Sequence, residues 1–447
     1  MKLKAVLSAV VSGTILLVSA SGCNLTDFST DSLLKPPKTM GDEAEIEQLI
    51  ADTATKDYTL KYPKSGNYRS AIIMHDLNND GVEESIAFFR EKDDVTRVHM
   101  LVMYGDNDRW KLSADFITET TDIDSVEFAD VDGDDYLEIL VGYTTYNANV
   151  NFLSCYSYND GKTQEIQAGQ NYSSFCCGDF NADSKNEVMT LSLYTTEIEA
   201  RATMLDYNEE KNSLYAKATV LMDPNVVKYK NITVSDLGEN TKGIVVDGEF
   251  ASEELNTQII YYNKDLSLLR NPLYKDKIKS VTQRSCSVVS SDIDNDLVVE
   301  IPTVTKLPRS KNEPEETVAD RITWNTFSVQ NENLVTEINL AANYNFGYTI
   351  KMKDNWLNNT VTALYDSEEN TTVFYEWNKN SLGDKLFEIR VFEVNEWDKG
   401  KNSDEYTLIY KDNKYAYTFI NIKTDSNYSM TDEEIKTAFS LLTALAV

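Results

Sequence analysis

VEFADVDGDDYLEILV, residues 126–141, decides the fold. Apolar residues alternate on both sides of an acidic centre, the pattern of a strand, a tight turn and a second strand. Inside the turn, Asp130, Asp132, Asp134 and Glu138 stand at positions 1, 3, 5 and 9. Alternate side chains of a curled loop can aim their oxygens at one point. A hard cation such as Ca²⁺ takes about six to eight oxygens at 2.3–2.6 Å, and a backbone carbonyl at position 7, here that of Tyr136, supplies one more. Gly133 is displaced to position 4, and Asp135 occupies position 6.

The same pattern recurs four times. Residues 71–89 (AIIMHDLNNDGVEESIAFF) carry Asp76, Asn78, Asp80 and Glu84, with Val82 at position 7 and Gly81 at position 6. Residues 175–191 carry Asp179, Asn181, Asp183 and Glu187, with Lys185 at position 7. Residues 288–304 carry Asp292, Asp294, Asp296 and Glu300, with Val298 at position 7 and Leu297 at the turn position, which questions the turn. Residues 232–246 begin at Asp236 but lack carboxylates at positions 3, 5 and 9, as expected of a repeat that has lost its ion. The first Asp residues are 49 to 57 residues apart. Further alternating runs fill the intervals, so each period holds about four short strands, the size of one propeller blade.

An ordinary acidic turn capped by Asp and Asn is the simpler reading of any one loop. Three or four converging carboxylates repel one another unless a cation is present, which argues against it for the set. EF-hands are excluded, because flanking helices and a Glu at position 12 are missing. The loops resemble the FG-GAP/VCBS repeat of integrin-like β-propellers over roughly residues 60–340. That resemblance implies an all-β fold, a β-propeller of about five four-stranded blades, with calcium between adjacent strands of a blade. Up to four structural Ca²⁺ ions are expected.

Composition sets the limits. The chain has 447 residues, 41% of them hydrophobic, enough for a core. Asp and Glu number 73 against 42 Lys and Arg, a net charge of −31, so the basic footprint of nucleic-acid binding is lacking. His75 and His99 are the two histidines, which disfavours multi-imidazole chemistry. No nucleophile elbow, Walker loop, His-Glu-x-x-His or dinucleotide fingerprint is present.

The N-terminus reads as an address. Lys2 and Lys4 precede a mostly apolar run at 5–18, and Ser21-Gly22-Cys23 follows. This is the layout of a secretory signal peptide over residues 1–22. Small residues before Cys23 resemble the lipobox of bacterial lipoproteins, although Ala20 stands where Leu is usual. The resemblance implies a lipidated Cys23 anchored in the membrane on the extracytoplasmic face, with 23–41 as a tether. Cys155, Cys176, Cys177 and Cys286 remain, either as buried thiols or with one disulfide.

Residues 42–53 read as a short helix with Ile46, Leu49 and Ile50 on one face, opening a propeller unit that spans 42–342. From 343 to 447 the pattern becomes a small C-terminal α+β domain, with six strand-like runs and a final helix. Thr431 and Glu434 form a capping box there, and Ile435, Ala438, Phe439, Leu442 and Ala446 an apolar stripe. The chain therefore reads as an envelope-anchored, non-catalytic binding or scaffold module for a protein or glycan. The alternatives are a polysaccharide-active lyase or hydrolase and an accessory subunit in envelope assembly.

Overall fold

The computed structural model describes residues 40–442 except 108, 148, 312 and 401–403. The leader, Cys23, most of the tether and Ala446 lie outside the described residues. Each Asp-rich segment is the turn between the first and second strands of an antiparallel sheet.

The first sheet is Ile72–His75, Glu84–Glu91, Arg97–Asp106 and Arg109–Glu119, with Tyr58–Lys61 alongside the outer half of its second strand. The second is Ile123–Ala129, Glu138–Thr144, Asn151–Asn159 and Lys162–Tyr172. The third is Ser174–Gly178, Glu187–Ser192, Arg201–Asn208 and Ser213–Leu221. One parallel bridge, Ser213 to Gln167, joins these two into an eight-stranded sheet. The fourth is Val226–Asp236, Lys242–Phe250, Leu255–Asn263 and Leu268–Arg270. In the fifth, the first strand shrinks to the bridge Ser291–Glu300, followed by Ile301–Lys306, Asp320–Ser328, Asn333–Asn343 and Tyr348–Lys351.

The second strands explain how the sheets are held. Glu187–Ser192 is buried along its whole length, and the strands at 84–91, 138–144 and 242–250 nearly so. A strand buried on both faces needs a neighbour on each side. Ile86 and Phe88 meet Val126 and Ile139; Leu140 and Cys155 meet Val188 and Leu205; Met189 and Leu191 meet Ile244 and Val246; Val245 and Ile259 meet Ile301 and Phe327. The sheets thus stack in chain order as a propeller-type array of blades. The helix Met40–Thr53 covers the far face of the first sheet with Ile46 and Ile50, against Ala87, Phe89 and Leu101. Repeat arrays need such caps because a terminal blade otherwise exposes one apolar face.

At the other end lies a further five-stranded sheet: Val361–Asp366, Thr371–Asn378, Ser381–Glu393, Tyr415–Asn421 and Thr407–Lys411. Its core, with Trp356, Phe374 and Phe387, is continuous with Tyr348 and Ile350 of the fifth blade. The sequence change near 343 therefore does not coincide with a change of sheet. The expected final helix also ends early, spanning Asp432–Ala438. Its capping box at Thr431 and Glu434 is present. Phe439 and Leu442 do not continue the stripe, because Phe439–Leu441 turns into a strand on the free edge of Tyr348–Lys351. There Phe439 stacks on Tyr348 with ring centroids 5.6 Å apart.

No disulfide links the described cysteines. Cys176 faces the third–fourth interface and Cys177 the second–third, as alternation requires. Burial pushes the Cys176 thiol up to about 12 and those of Cys155 and Cys177 well above the ordinary range.

A buried ion pair ties the fourth blade to the segment that leads into the fifth. Arg284 Nη2 lies 2.8 Å from Asp247 Oδ1, and both side chains are fully buried. Asp247 also accepts from Ser290 N (2.7 Å) and Thr257 Oγ1 (2.6 Å), while Arg284 Nε donates to Val288 O (2.6 Å). Removing one partner strands a charge in the core. Arg284→Ala should therefore cost about 3–5 kcal/mol, and adding Asp247→Ala should recover part of that loss. Urea unfolding of both variants checks this; a double variant less stable than Arg284→Ala would count against it.

Candidate metal centres

All four acidic loops share one backbone. Positions 4 and 6 adopt left-handed conformations: Asn79 and Gly81, Gly133 and Asp135, Ala182 and Ser184, Asn295 and Leu297. Two such residues curl the loop so that backbone N–H groups point inward. The position-1 carboxylate accepts from them. Asp76 takes Asp80 N (3.2 Å) and Gly81 N (2.9 Å); Asp130 takes Gly133 N (2.7 Å) and Asp135 N (3.2 Å). Asp179 takes Asp183 N and Ser184 N, both at 3.1 Å, and Asp292 takes Asn295 N (2.7 Å) and Leu297 N (2.9 Å). Leu297 thus keeps the common turn despite its side chain, at a cost of roughly 1–2 kcal/mol for a left-handed non-glycine residue.

Position 5 holds the exit from the loop. Asp80, Asp134, Asp183 and Asp296 accept from the N–H groups of Val82, Tyr136, Lys185 and Val298, at 2.7 to 3.0 Å. Position 9 holds the base. Glu84, Glu138, Glu187 and Glu300 are buried and accept from the N–H groups of Leu77, Val131, Phe180 and Ile293 at 2.8–2.9 Å. The donors at position 2 plug the loop into the core: Leu77, Val131 and Phe180 are buried, and Ile293 is partly so.

The donor sets differ. Asp130, Asp132 and Glu138 each place a carboxylate oxygen within 4.8 Å of the others, as do Asp292, Asp294 and Glu300. These are hard oxygen donors, the type that suits a group-two cation. In the first and third loops position 3 is an amide. Asn78 Nδ2 donates to Asp80 (3.0 Å), and Asn181 Nδ2 donates to Glu187.

Crowding shows in the proton affinities. Glu138 is pushed up to about 8, first by burial and then by Asp132, Asp134 and Asp130. Burial pushes Glu187 up to about 7, with Asp183 adding to it, and Asp132 up to about 6, with Asp134 adding to it. Glu84 and Glu300 are raised mainly by burial. At each site burial thus favours the protonated glutamate, and a neighbouring cation would oppose that shift.

The fourth segment departs by more than its side chains. In the other blades the residue before position 1 pairs with the Glu: His75 with Glu84, Ala129 with Glu138, Gly178 with Glu187, Ser291 with Glu300. Here Ser235 pairs with Gly243, so the turn is one residue shorter. A Cβ at Gly243 would come 2.6 Å from Leu237 Cδ1 and 2.7 Å from Ile260 O. The place of the glutamate is thus closed to any side chain, and Leu237 N donates to Thr241 O instead (2.9 Å).

Contacts between loops were not legible in the sequence. Leu137 N donates to Leu77 O (2.7 Å), and Asn186 N to Asp130 O (2.8 Å). Asn79 Nδ2 reaches Asp135 O (2.7 Å), and Lys185 Nζ reaches Asp132 O (2.6 Å). Position 8 of one loop thus bonds the preceding loop, and polar residues at positions 4 and 7 were the available signal. Both histidines are packed. His75 stacks on Phe128 at 4.2 Å, and His99 stacks on Phe89 at 4.4 Å with Nδ1 3.0 Å from Asp115.

No family model matches the chain, and no curated protein does. Solved structures similar to it include the WD40 domain of Toxoplasma gondii coronin, 9% identical, with 85% of this chain and 88% of that chain covered and a TM-score of 0.28. Sqt1 of Saccharomyces cerevisiae is 9% identical, over 83% of this chain and 100% of that chain, with a TM-score of 0.31. An exotype rhamnogalacturonan lyase is 11% identical, over 71% and 63%, with a TM-score of 0.29. Likeness at this level carries no residue, ligand or partner across.

The raised glutamates fix the sign of a pH effect. Their folded pKa lies above the ordinary value, so their stabilisation is full below the unfolded pKa and is lost as pH rises through the folded one. Chelator-treated protein should lose melting temperature between about pH 5 and 9. Glu138→Gln should flatten that fall, read by thermal melts across the range; an unaltered slope in the variant would contradict the assignment.

Proposed function

We propose that the chain is a lipid-tethered envelope protein, an FG-GAP/VCBS-like propeller whose blades are held by up to four structural calcium ions. It serves as a non-catalytic binding or scaffold module for a protein or glycan. The observation that carries the calcium reading is repetition. Four loops share one backbone, and each sets a buried glutamate at the base of an aspartate-lined turn. Calcium would be held by the carboxylates at positions 1, 3, 5 and 9, by Asn78 and Asn181, and by the carbonyls of Val82, Tyr136, Lys185 and Val298.

The role is structural because of what the loops touch. Each joins the first strand of a blade to the second, and two of them bond the preceding loop. An ion there neutralises buried acids and ties strand to strand, so its binding free energy becomes folding free energy. The two imidazoles are engaged in stacking, which leaves general acid–base work without its usual residue.

Calcium added to chelator-treated protein should raise the melting temperature. A site at a hundredfold excess over its Kd contributes about 2.7 kcal/mol. Glu138→Gln should remove one site's share, while Asp236→Ala, in the loop without a glutamate, should leave the response intact. A melt that ignores calcium, with no bound calcium by elemental analysis, would sink the reading. Mass spectrometry of membrane-fraction protein should place a lipid-modified Cys23 at the mature N-terminus; an unmodified start elsewhere would refute the tether.

A further inference from the structure

A cavity of about 700 Å³ beside Glu127 is lined mainly by polar groups. A groove of about 570 Å³ has the opposite character. It lies between the segment 271–283, which follows the last strand of the fourth blade, and the fifth blade. Its size falls within the roughly 300–1,000 Å³ of small-molecule sites, whose walls are mostly apolar with a few polar groups to fix orientation. Leu273 and Leu334 line it and pack on the core shared by the fourth and fifth blades, with Ile259 and Ile301. Ile278 and Val281 line it from the segment.

The segment is pinned at both ends. Just before it, Arg270 Nε and Nη2 donate to Glu332 of the fifth blade at 2.8 and 2.6 Å. At the far end the buried Thr282 accepts from Thr257 N (2.9 Å) and donates to Thr257 O (2.8 Å) through its Oγ1. Between these anchors Ile278 N donates to Lys275 O (3.1 Å), and Lys277 adopts a left-handed conformation. Ile278 is thereby left 64% exposed and Val281 69%. Covering such side chains with an apolar chain is favourable, at about 25 cal/mol per Å² buried.

The charges at the groove are sorted. Glu332 lines it, but its carboxylate is taken by Arg270 and by Tyr261 Oη at 2.8 Å. Lys275 and Lys279 line it without an ion pair among the described residues, while Lys277 between them pairs with Asp276 (3.6 Å). An apolar groove with two uncommitted ammonium groups is complementary to an apolar chain with an anionic head. The net charge of −31 opposes contact with an anionic bilayer, whereas a single carboxylate meets only the lysines beside it.

We propose that this groove binds a free fatty acid, its alkyl chain against Leu273, Ile278, Val281 and Leu334 and its carboxylate at Lys275 and Lys279. The groove shares no residue with the acidic loops, so the site stands whether or not those loops hold calcium.

Fluorescence of cis-parinaric acid, a polyene fatty acid that brightens in apolar surroundings, tests it on the full chain. The probe should brighten, and oleate should displace it. Oleyl alcohol, with the chain but no charge, should compete about tenfold less well, and acetate, with the charge but no chain, not at all. Lys275→Gln with Lys279→Gln should weaken binding about tenfold, and Lys275→Arg with Lys279→Arg should keep it. Ile278→Ser with Val281→Ser should also weaken it about tenfold. All four side chains are exposed, so the variants should keep the wild-type melting temperature. A probe that stays dark, oleyl alcohol as good as oleate, or Gln and Ser variants that bind like wild type overturns the proposal. Binding to phosphatidylglycerol vesicles without binding of the probe also overturns it, and marks a bilayer-docking loop instead.

Discussion

A buried glutamate at the start of the second strand organises four of the repeated sheets. Its carboxylate receives the N–H of position 2, which carries an apolar side chain into the core. The same contact fixes where the position-1 aspartate sits and so where the loop's N–H groups converge. The arrangement stores a conflict, because a carboxylate removed from water seeks a positive charge or a proton. Ligand spacing, turn conformation and proton affinity are consequences of that one group. The fourth blade shows the alternative. With a shorter turn and Gly243 in the equivalent place, the loop closes on its own backbone and gathers no acids.

The remaining structure transmits this local order along the array. The second strands of the first four blades are buried along most of their length, and at two junctions the residue at position 8 of one loop bonds the loop before it. Where the acidic loop is missing, a different device appears at the next junction. Asp247 of the fourth blade and Arg284 of the segment leading to the fifth are sealed from water, with Thr257 and Ser290 completing the hydrogen bonds. Both devices place charge inside an interface, one completed by a side chain of the protein and the other, in our reading, by an ion.

Much of this was legible in the sequence because it is local. The positions 1, 3, 5 and 9 and the strand alternation around them lie within short windows, and the capping box at Thr431 is a four-residue pattern. The rest depended on residues distant in the chain. Counting positions from Asp236 lines up Ile244 with the glutamates, but the register puts Gly243 there, because strand pairing rather than spacing sets the equivalence. Phe439 has helical periodicity with Ile435, yet the open edge of Tyr348–Lys351 captures it as a strand. The Asp247–Arg284 pair lies 37 residues apart in a chain rich in acids, so nothing singled it out. The cavity beside Glu127 is lined by the inner strands of the second, third and fourth blades with residues 65–67, and it has no linear signature.

The strand Phe439–Leu441 has a consequence for how the chain assembles. Strands of the first four blades pair with near neighbours in sequence, so each can form soon after its own residues are made. The fifth sheet differs, since its edge pairs Tyr348–Ile350 with residues about ninety positions later. Loop closure over that span waits for the whole intervening sheet to fold. The fifth sheet is therefore completed only when the last strand reaches it. That step latches the end of the array, and it is where a truncated or misfolded C-terminal sheet would first be felt.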